Sequence, residues 1–390
     1  MMKPMYAYIP ANLDLSAEKH MDKFHFIITF IFYGRIFNKK NDSTSFIQLY
    51  SQFLKKIITG RYREHIQELI KMNVIETDNR YIKKKKSKAY RLTENYCSAK
   101  IKQVRIIDEK IVSNYWNFKI EQERRITATN YQYLFKCLEQ IEIDFEAAMD
   151  RLNNHTENSE QFSSSFCLIN RIHNKDWFFT VDKTAGRVHN NVTNLAKIFR
   201  PFLSFQSKRL MEIDISNSQP LLLNVLISRY LLRNFSAYNC GTNPPYVPQN
   251  SDLRLYKEIT EQGRFYEYMM NELGIDEDRD SFKVRMFTKL FYGKVFESEE
   301  RTAFRKIFPE VSEIIDYYKK INYRDLAIEL QRAEAEIIID SIVPRLATEK
   351  IFALTIHDSI LTIQDNVKLV QEIIMDEFMK YDLVPTLRIK

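Results

Sequence analysis

The segment Lys208–Tyr230, KRLMEIDISNSQPLLLNVLISRY, constrains this chain more than any other. Met211, Ile213 and Ile215 alternate with Glu212 and Asp214, the period of a strand. Pro220 stands where the first turn of a helix tolerates it, since the N–H it lacks would find no partner there. Leu221 to Leu232 then continue as a mostly buried helix. Asp214 is thereby set at the mouth of a strand, beside a strand-to-helix turn. A second stretch, Ile351–Thr362 (IFALTIHDSILT), predicts a β-hairpin whose turn is His357-Asp358-Ser359 instead of the Asn-Gly type. A lone aspartate beside a turn is ordinarily an N-cap or a turn former. Two of them, each at the tip of apolar strands, make a candidate site for paired divalent metals, which need carboxylates on rigid supports.

Five separated stretches, in matching order, resemble the polymerase core of family A DNA polymerases and their single-subunit RNA polymerase relatives. Asp214-Ile-Ser-Asn-Ser-Gln219 resembles motif A, in which a metal-binding Asp is followed five residues later by Glu in the DNA enzymes. His357-Asp358-Ser359 resembles motif C, usually His-Asp-Glu in DNA polymerases and His-Asp-Ser in the RNA polymerases. Arg279, Lys283, Tyr292 and Gly293 resemble motif B, the fingers helix that meets the incoming triphosphate. Thr184, Gly186, Arg187, Asn194 and Leu195 resemble the T-x-GRLSS-x-x-PNLQN segment that contacts primer-template. Gln331-Arg-Ala-Glu-Ala-Glu-Ile-Ile resembles the QGTAADII helix ahead of motif C. The resemblance covers roughly residues 180–390, about half the chain.

The resemblance implies an α+β right-hand polymerase, with helical thumb and fingers and an antiparallel palm sheet. It implies two Mg²⁺ ions, replaceable by Mn²⁺, held by Asp214, Asp358 and the backbone carbonyl of Ile215. Gln219, Arg279, Lys283 and Tyr292 would meet the nucleotide; Thr184, Arg187, Asn194, Gln331 and His357 would meet primer-template DNA. The family's usual substrates, dNTPs, are the first expectation; Gln219 in place of the Glu that excludes a ribose 2′-hydroxyl, and Ser359 in place of Glu, lean toward tolerance of NTPs as well. The family's Tyr comes eight residues after the Lys, whereas here Phe291 fills that position and Tyr292 follows. Either a one-residue bulge restores the register, or Arg285, seven residues before Tyr292, supplies the cation.

In chain order, residues 1–100 read as a separate domain. A helix carrying Phe46, Leu49, Tyr50, Phe53, Leu54 and Ile57 on one face, a second over Tyr62–Met72, and strands Val74–Thr77 and Ala89–Thr93 suggest a winged helix. Lys83, Lys84, Lys85, Lys86 and Lys88 would form its wing, a fit to phosphates, or alternatively to a small replication partner. Residues 101–175 read as helical and thumb-like, with helices over Ile111–Arg125 and Tyr131–Leu152 and a polar tip at 153–165. Glu142, Asp144 and Glu146 fall on the second helix as an acidic face, so no proofreading exonuclease is expected. Residues 176–220 hold the first part of the palm, including a strand over Trp177–Asp182 and a helix over Asn194–Leu203. Residues 221–322 are the fingers, entered after a loop over Cys240–Asp252, and 323–390 the second part of the palm, closed by a helix over Lys368–Tyr381 and a strand over Leu383–Ile389.

Seven glycines in 390 residues fit a helix-rich chain, and a net charge of +7 suits a polyanionic partner without demanding one. The four cysteines form no C-x-x-C pair, which predicts reduced thiols in a cytoplasmic protein. The apolar run Phe26–Phe32 is too short to span a bilayer. The functions consistent with these features are a DNA-directed DNA polymerase without proofreading, a primase or RNA polymerase of the same chemistry, or a non-catalytic nucleic-acid-binding replication protein. The compact layout suits a phage or mobile genetic element.

Overall fold

The computed structural model describes residues 3–37, 41–42, 44–58, 60–81, 87–155, 159–234, 251–294 and 296–390. It is a mixed α and β protein that divides into two compact units: Met1–Thr127 with Glu142–Trp177 and Asn194–Leu203, and Ala128–Ile141 with Phe178–Thr193 and Ser204–Lys390.

The first unit opens with β1 (Met5–Pro10), α1 (Met21–Ile36), β2 (Ile47–Gln48), α2 (Ser51–Ile58), α3 (Tyr62–Lys71), β3 (Ile75–Thr77), β4 (Ala89–Leu92), α4 (Glu94–Cys97), β5 (Ile101–Ile106) and α5 (Glu109–Glu123). The apolar run 26–32 lies in α1, which is apolar nearly all round and buried accordingly, with Phe24, Phe26, Ile27 and Ile28 at the centre of the core. β2, β4 and β3 form a three-stranded sheet in that order, while β1 and β5 pair separately, Met5 opposite Ile106. The helix expected from Phe46 begins at Ser51 instead. Ile47 pairs with Tyr90 in the sheet, and Arg91 lies 4.4 Å from the Phe46 ring centre, so sheet pairing overrides the helical spacing there. Lys83, Lys84, Lys85 and Lys86 lie outside the described residues; Lys88 is half-buried just ahead of β4.

The span 101–175, expected to be helical, contains β5 and is broken again at β6. After α6 (Thr129–Glu139) the chain forms β6 (Ile141–Ile143), α7 (Phe145–His155) and α8 (Ser159–His173). Asp144 stops the helix expected over Tyr131–Leu152: its Oδ1 accepts the Ala147 N–H at 3.1 Å and starts α7 afresh. Glu142 therefore lies on a strand, and the acidic helix face does not form. Much of the polar tract expected as a tip is helical in α8, whose buried side includes Ser163, Ser165 and Cys167. Residues 156–158 lie outside the described set.

The second unit contains α6 and then β7 (Phe179–Val181), β8 (Val188–Asn190), α9 (Asn191–Asn194), β9 (Leu203–Phe205), β10 (Lys208–Ile215), α10 (Ser218–Asn234), α11 (Asp252–Glu261), α12 (Phe265–Leu273), α13 (Arg279–Met286), α14 (Glu299–Ile307), α15 (Pro309–Lys319), α16 (Asp325–Ala335), α17 (Val343–Thr348), β11 (Leu354–Ile356), β12 (Ser359–Ile363), α18 (Val367–Met379) and β13 (Leu387–Ile389). No continuous helix runs over Asn194–Leu203: α9 ends at Asn194, and Lys197–Phe202 is a 3₁₀ turn around Pro201. Most of the expected loop at 240–252 lies outside the described residues. β10 is the central strand of an antiparallel sheet, pairing with β12 on one side and with β13 and β9 on the other. α10 packs its apolar surface into the core below this sheet, with Leu221, Leu223 and Leu226 fully buried. No helix among the described residues is long and apolar enough to cross a membrane.

Candidate active site

The register of β10 against β12 fixes the centre. Asp214 stands directly opposite Ser359, the residue after Asp358, so the two aspartates become neighbours across the sheet. The hairpin turn is tighter than expected: Ile356 pairs with Ser359, leaving His357 and Asp358 as a two-residue turn, with His357 in the left-handed region at φ +54°. Ser359 thus belongs to the strand, and its hydroxyl donates to Asp214 Oδ1 at 2.9 Å. Lys390 donates to the other oxygen, Oδ2, at 2.6 Å. Burial pushes the Asp358 carboxyl above the usual carboxylate range; the Asp214 charge adds to this, while a Ser218 hydrogen bond and the Lys283 charge oppose it. Along β10, Glu212 and Ser216 bond to Lys390 and Thr386 on the β13 side. Because the direction alternates along a strand, the main-chain groups of Ile215 turn the other way, toward Asp358.

The register of the Arg279–Gly293 stretch follows from local helix geometry. Helix α13 passes into a single π turn over Phe287–Phe291, closed by the Tyr292 N–H on the Phe287 carbonyl at 2.8 Å. One π turn inserts one residue, the shift that the Lys283–Tyr292 spacing requires. Gly293 follows where a Cβ would lie 2.0 Å from the Thr288 carbonyl oxygen, so no larger residue fits unless the turn moves. Lys319 is buried among the carbonyls of Leu290 and Gly293 and donates to both. Arg279 and Lys283 face the site: Arg279 reaches Asn217 Oδ1 at 3.1 Å and Glu267, and Lys283 lies 6.0 Å from the Tyr266 ring centre. Arg285 instead turns to Glu277 and Glu300, both at 3.1 Å.

Glu334 was not among the residues the sequence singled out. It occupies α16 in the stretch that resembles QGTAADII, at a place where that pattern has Ala. It is 2% exposed, and its Oε2 accepts from Arg187 Nη2 at 2.5 Å and from Gln219 Nε2 at 2.8 Å. Gln219 Oε1 in turn accepts the Tyr292 hydroxyl at 3.1 Å. Burial pushes the Glu334 carboxyl up to about 7, with Arg187 pulling against it and the Asp358 charge reinforcing it. The signal that could have found it is an acid at an apolar-periodic position of a buried helix. Tyr266 was also missed; it is 1% exposed and its hydroxyl has no hydrogen-bond partner.

Other expected contacts distribute unevenly. Gln331 lies beside the Tyr292 hydroxyl. Thr184 sits in the β7–β8 loop, its carbonyl accepting from Arg332 at 3.0 Å and its N–H donating to Asp182 at 3.2 Å. The ring of His357 is 6.1 Å from that of His189. Asn194 is exposed at the end of α9 and falls with Leu195 in the first unit, whereas Thr184, Gly186 and Arg187 of the same segment fall in the second.

Among the described residues no group of three or more His, Cys, Asp or Glu side chains forms a metal cage. Two carboxylates and a main-chain carbonyl nonetheless suit Mg²⁺, which takes one or two carboxylates and completes its shell with water and substrate phosphates. The buried polar atoms Arg187 Nε, Ser216 Oγ, Asn217 Nδ2 and Tyr266 OH have no hydrogen-bond partner within the protein.

No known family profile and no curated protein matches this sequence. Among solved structures, the POL domain of Pol1 from M. smegmatis, in complex with DNA primer-template and dNTP, aligns with 63% of this chain at 13% identity and a TM-score of 0.30. The aligned part is 50% of that chain, so this protein spans about half its length.

Proposed function

We propose that this chain is a template-directed nucleotidyltransferase, a DNA-directed DNA polymerase that uses dNTPs and lacks proofreading. The observation that carries the reading is the β10–β12 register, which sets Asp214 and Asp358 side by side at the end of two buried strands. Asp214, Asp358 and the Ile215 carbonyl would hold two Mg²⁺ ions. Bound there, the metal supplies Lewis-acid activation of a primer 3′-hydroxyl and neutralises charge on the departing pyrophosphate. Lys283 and Arg279 face the same space and add fixed positive charge for the triphosphate, where negative charge develops in the transition state. Tyr292, held by Gln219, forms a wall beside the nucleotide. Thr184, Arg187, Gln331 and His357 would line the path of primer-template DNA. In the first unit, the order α1-β2-α2-α3-β3-β4 and the half-buried Lys88 beside β4 support a nucleic-acid-docking role.

A ribonucleotide-using form, primase or RNA polymerase, is the second reading, favoured by the uncharged Gln219 and by Ser359 after the metal aspartate. The test is incubation with primed and unprimed templates, Mg²⁺ or Mn²⁺, and dNTPs or NTPs. Extension products are expected, and their loss on chelation. Failure with every combination would leave a nucleic-acid-binding protein without polymerase chemistry.

A further inference from the structure

Lys319 is a buried ammonium that the two-aspartate chemistry does not use. It is the last residue of α15 and only 4% exposed. Its Nζ donates to the Leu290 carbonyl at 2.5 Å and to the Gly293 carbonyl at 3.0 Å. Leu290 belongs to the last turn of its helix, whose carbonyls find no N–H within that helix, and Gly293 lies just beyond it. The two carbonyls bracket Tyr292, whose own N–H closes the π turn on Phe287 and whose hydroxyl meets Gln219 at 3.1 Å. The support is itself fixed: Tyr318, beside Lys319, donates its hydroxyl at 3.1 Å to the Leu226 carbonyl of α10, the helix that opens with Ser218 and Gln219. Burial pulls the Lys319 ammonium down to about 8; the Arg301 charge adds to this and Asp316 opposes it. A folded value below the ordinary 10.5 means that the charge weakens the fold at neutral pH, so stability alone gives no reason for it, and methionine would fill the space without it.

We infer that Lys319 is a positioning residue: by holding the Leu290 and Gly293 carbonyls it keeps the π turn formed and Tyr292 in place before a dNTP arrives. The inference rests on the nucleotidyl-transfer reading above, in which Tyr292 walls the nucleotide. A π turn is a rare arrangement that competes with ordinary α-helix, and relaxing it would carry Tyr292 about 100° round the axis. A charged donor makes stronger hydrogen bonds than a neutral one, and two of them from a single ammonium oppose that relaxation. A nucleotide that binds only the π form loses affinity in proportion to the fraction of molecules that have left it.

The experiment measures equilibrium binding of a dNTP to the full chain with primed template and Mg²⁺, alongside KM and kcat for extension. Lys319→Met should weaken dNTP binding and raise KM roughly tenfold, as when the competent form falls to about a tenth of the population. Affinity for the primed template and kcat at saturating dNTP should both hold within about twofold, since bound nucleotide restores the turn. In a Tyr292→Ala background the same substitution should change dNTP binding by less than about twofold, because the residue through which it acts is gone. Lys319→Arg, which keeps the charge and the donors, should bind dNTP within about threefold of the wild type. Lys319→Gln in both backgrounds carries the test if Lys319→Met does not fold: its neutral donor should give a smaller loss that again vanishes without Tyr292. Unchanged dNTP binding in folded Lys319→Met or Lys319→Gln, or an equal loss in both backgrounds, overturns the inference and leaves the transferase reading standing. A wild type that neither binds nor incorporates nucleotides overturns the transferase reading itself, and this inference with it.

Discussion

Each unit of the molecule buries a carboxylate against an arginine, with opposite results. In the first, Asp176 is met by Arg171 at 3.0 Å, by Lys119 at 3.1 Å and by the Tyr115 hydroxyl at 3.0 Å. Although burial pushes its carboxyl up, those partners win and hold it at about 2. In the second, Glu334 has one arginine and one neutral amide, and Asp358 adds a second negative charge nearby; burial wins, and the carboxyl sits at about 7. Two cations and a hydroxyl make a settled structural anchor. One cation beside a like charge makes an acid whose charge is only partly satisfied by the protein, the condition expected where a charged ligand completes the set.

The largest expected effect tests whether the second region is the chemical one. Asp214→Ala or Asp358→Ala should each cut primer extension at least about 10³-fold, because one metal position is lost, with binding to DNA largely kept. In a folded Asp176→Asn protein, extension per molecule should be unchanged; a comparable loss there would erase the distinction between the two pairs. Next, Asp176→Asn should cost about 3–5 kcal/mol in chemical denaturation, since Arg171 and Lys119 are left buried without their counter-charge.

The pH dependences should run in opposite directions. Asp176 has a folded carboxyl near 2 against an ordinary 3.8, so about 2 kcal/mol of stabilisation is complete above the ordinary value and lost as pH falls toward 2. Glu334 has a folded carboxyl near 7 against an ordinary 4.5. Its ionisation costs stability as pH rises between those values, by about 3 kcal/mol at most. Denaturation of Glu334→Gln should therefore gain on the wild type as pH climbs from 4.5 to 7.5, and a flat difference would mean that Arg187 outweighs burial. The smallest effect concerns Lys390, whose ammonium contacts Asp214. Lys390→Ala should tighten Mg²⁺ or Mn²⁺ binding several-fold in a titration, as expected for a partly exposed ion pair that competes with the metal.

The strand-to-helix passage at Asp214 and the hairpin carrying Asp358 were legible because period-2 alternation and turn punctuation are local. Their register against one another was not, since it depends on pairing between distant strands; only the resemblance supplied it. The π turn was inferable as a spacing mismatch, yet the choice between Lys283 and Arg285 required seeing Glu277 and Glu300 take Arg285. Glu334 escaped because an acid on an amphipathic helix ordinarily faces water. β5 and β6 were missed where short strands interrupt otherwise helical spacing, and tertiary pairing overrode local preference.

The π turn at Phe287–Phe291 separates α13 into two angular phases about 100° apart, since each added residue rotates the helix by that amount. Removing Leu290 should reseat the segment as ordinary α-helix and leave Tyr292 in the phase that it now holds, eight helical steps from Lys283. The hydroxyl contact with Gln219 would survive such a deletion, whereas straightening the turn without one would carry Tyr292 about 100° away and bring Phe291 round in its place.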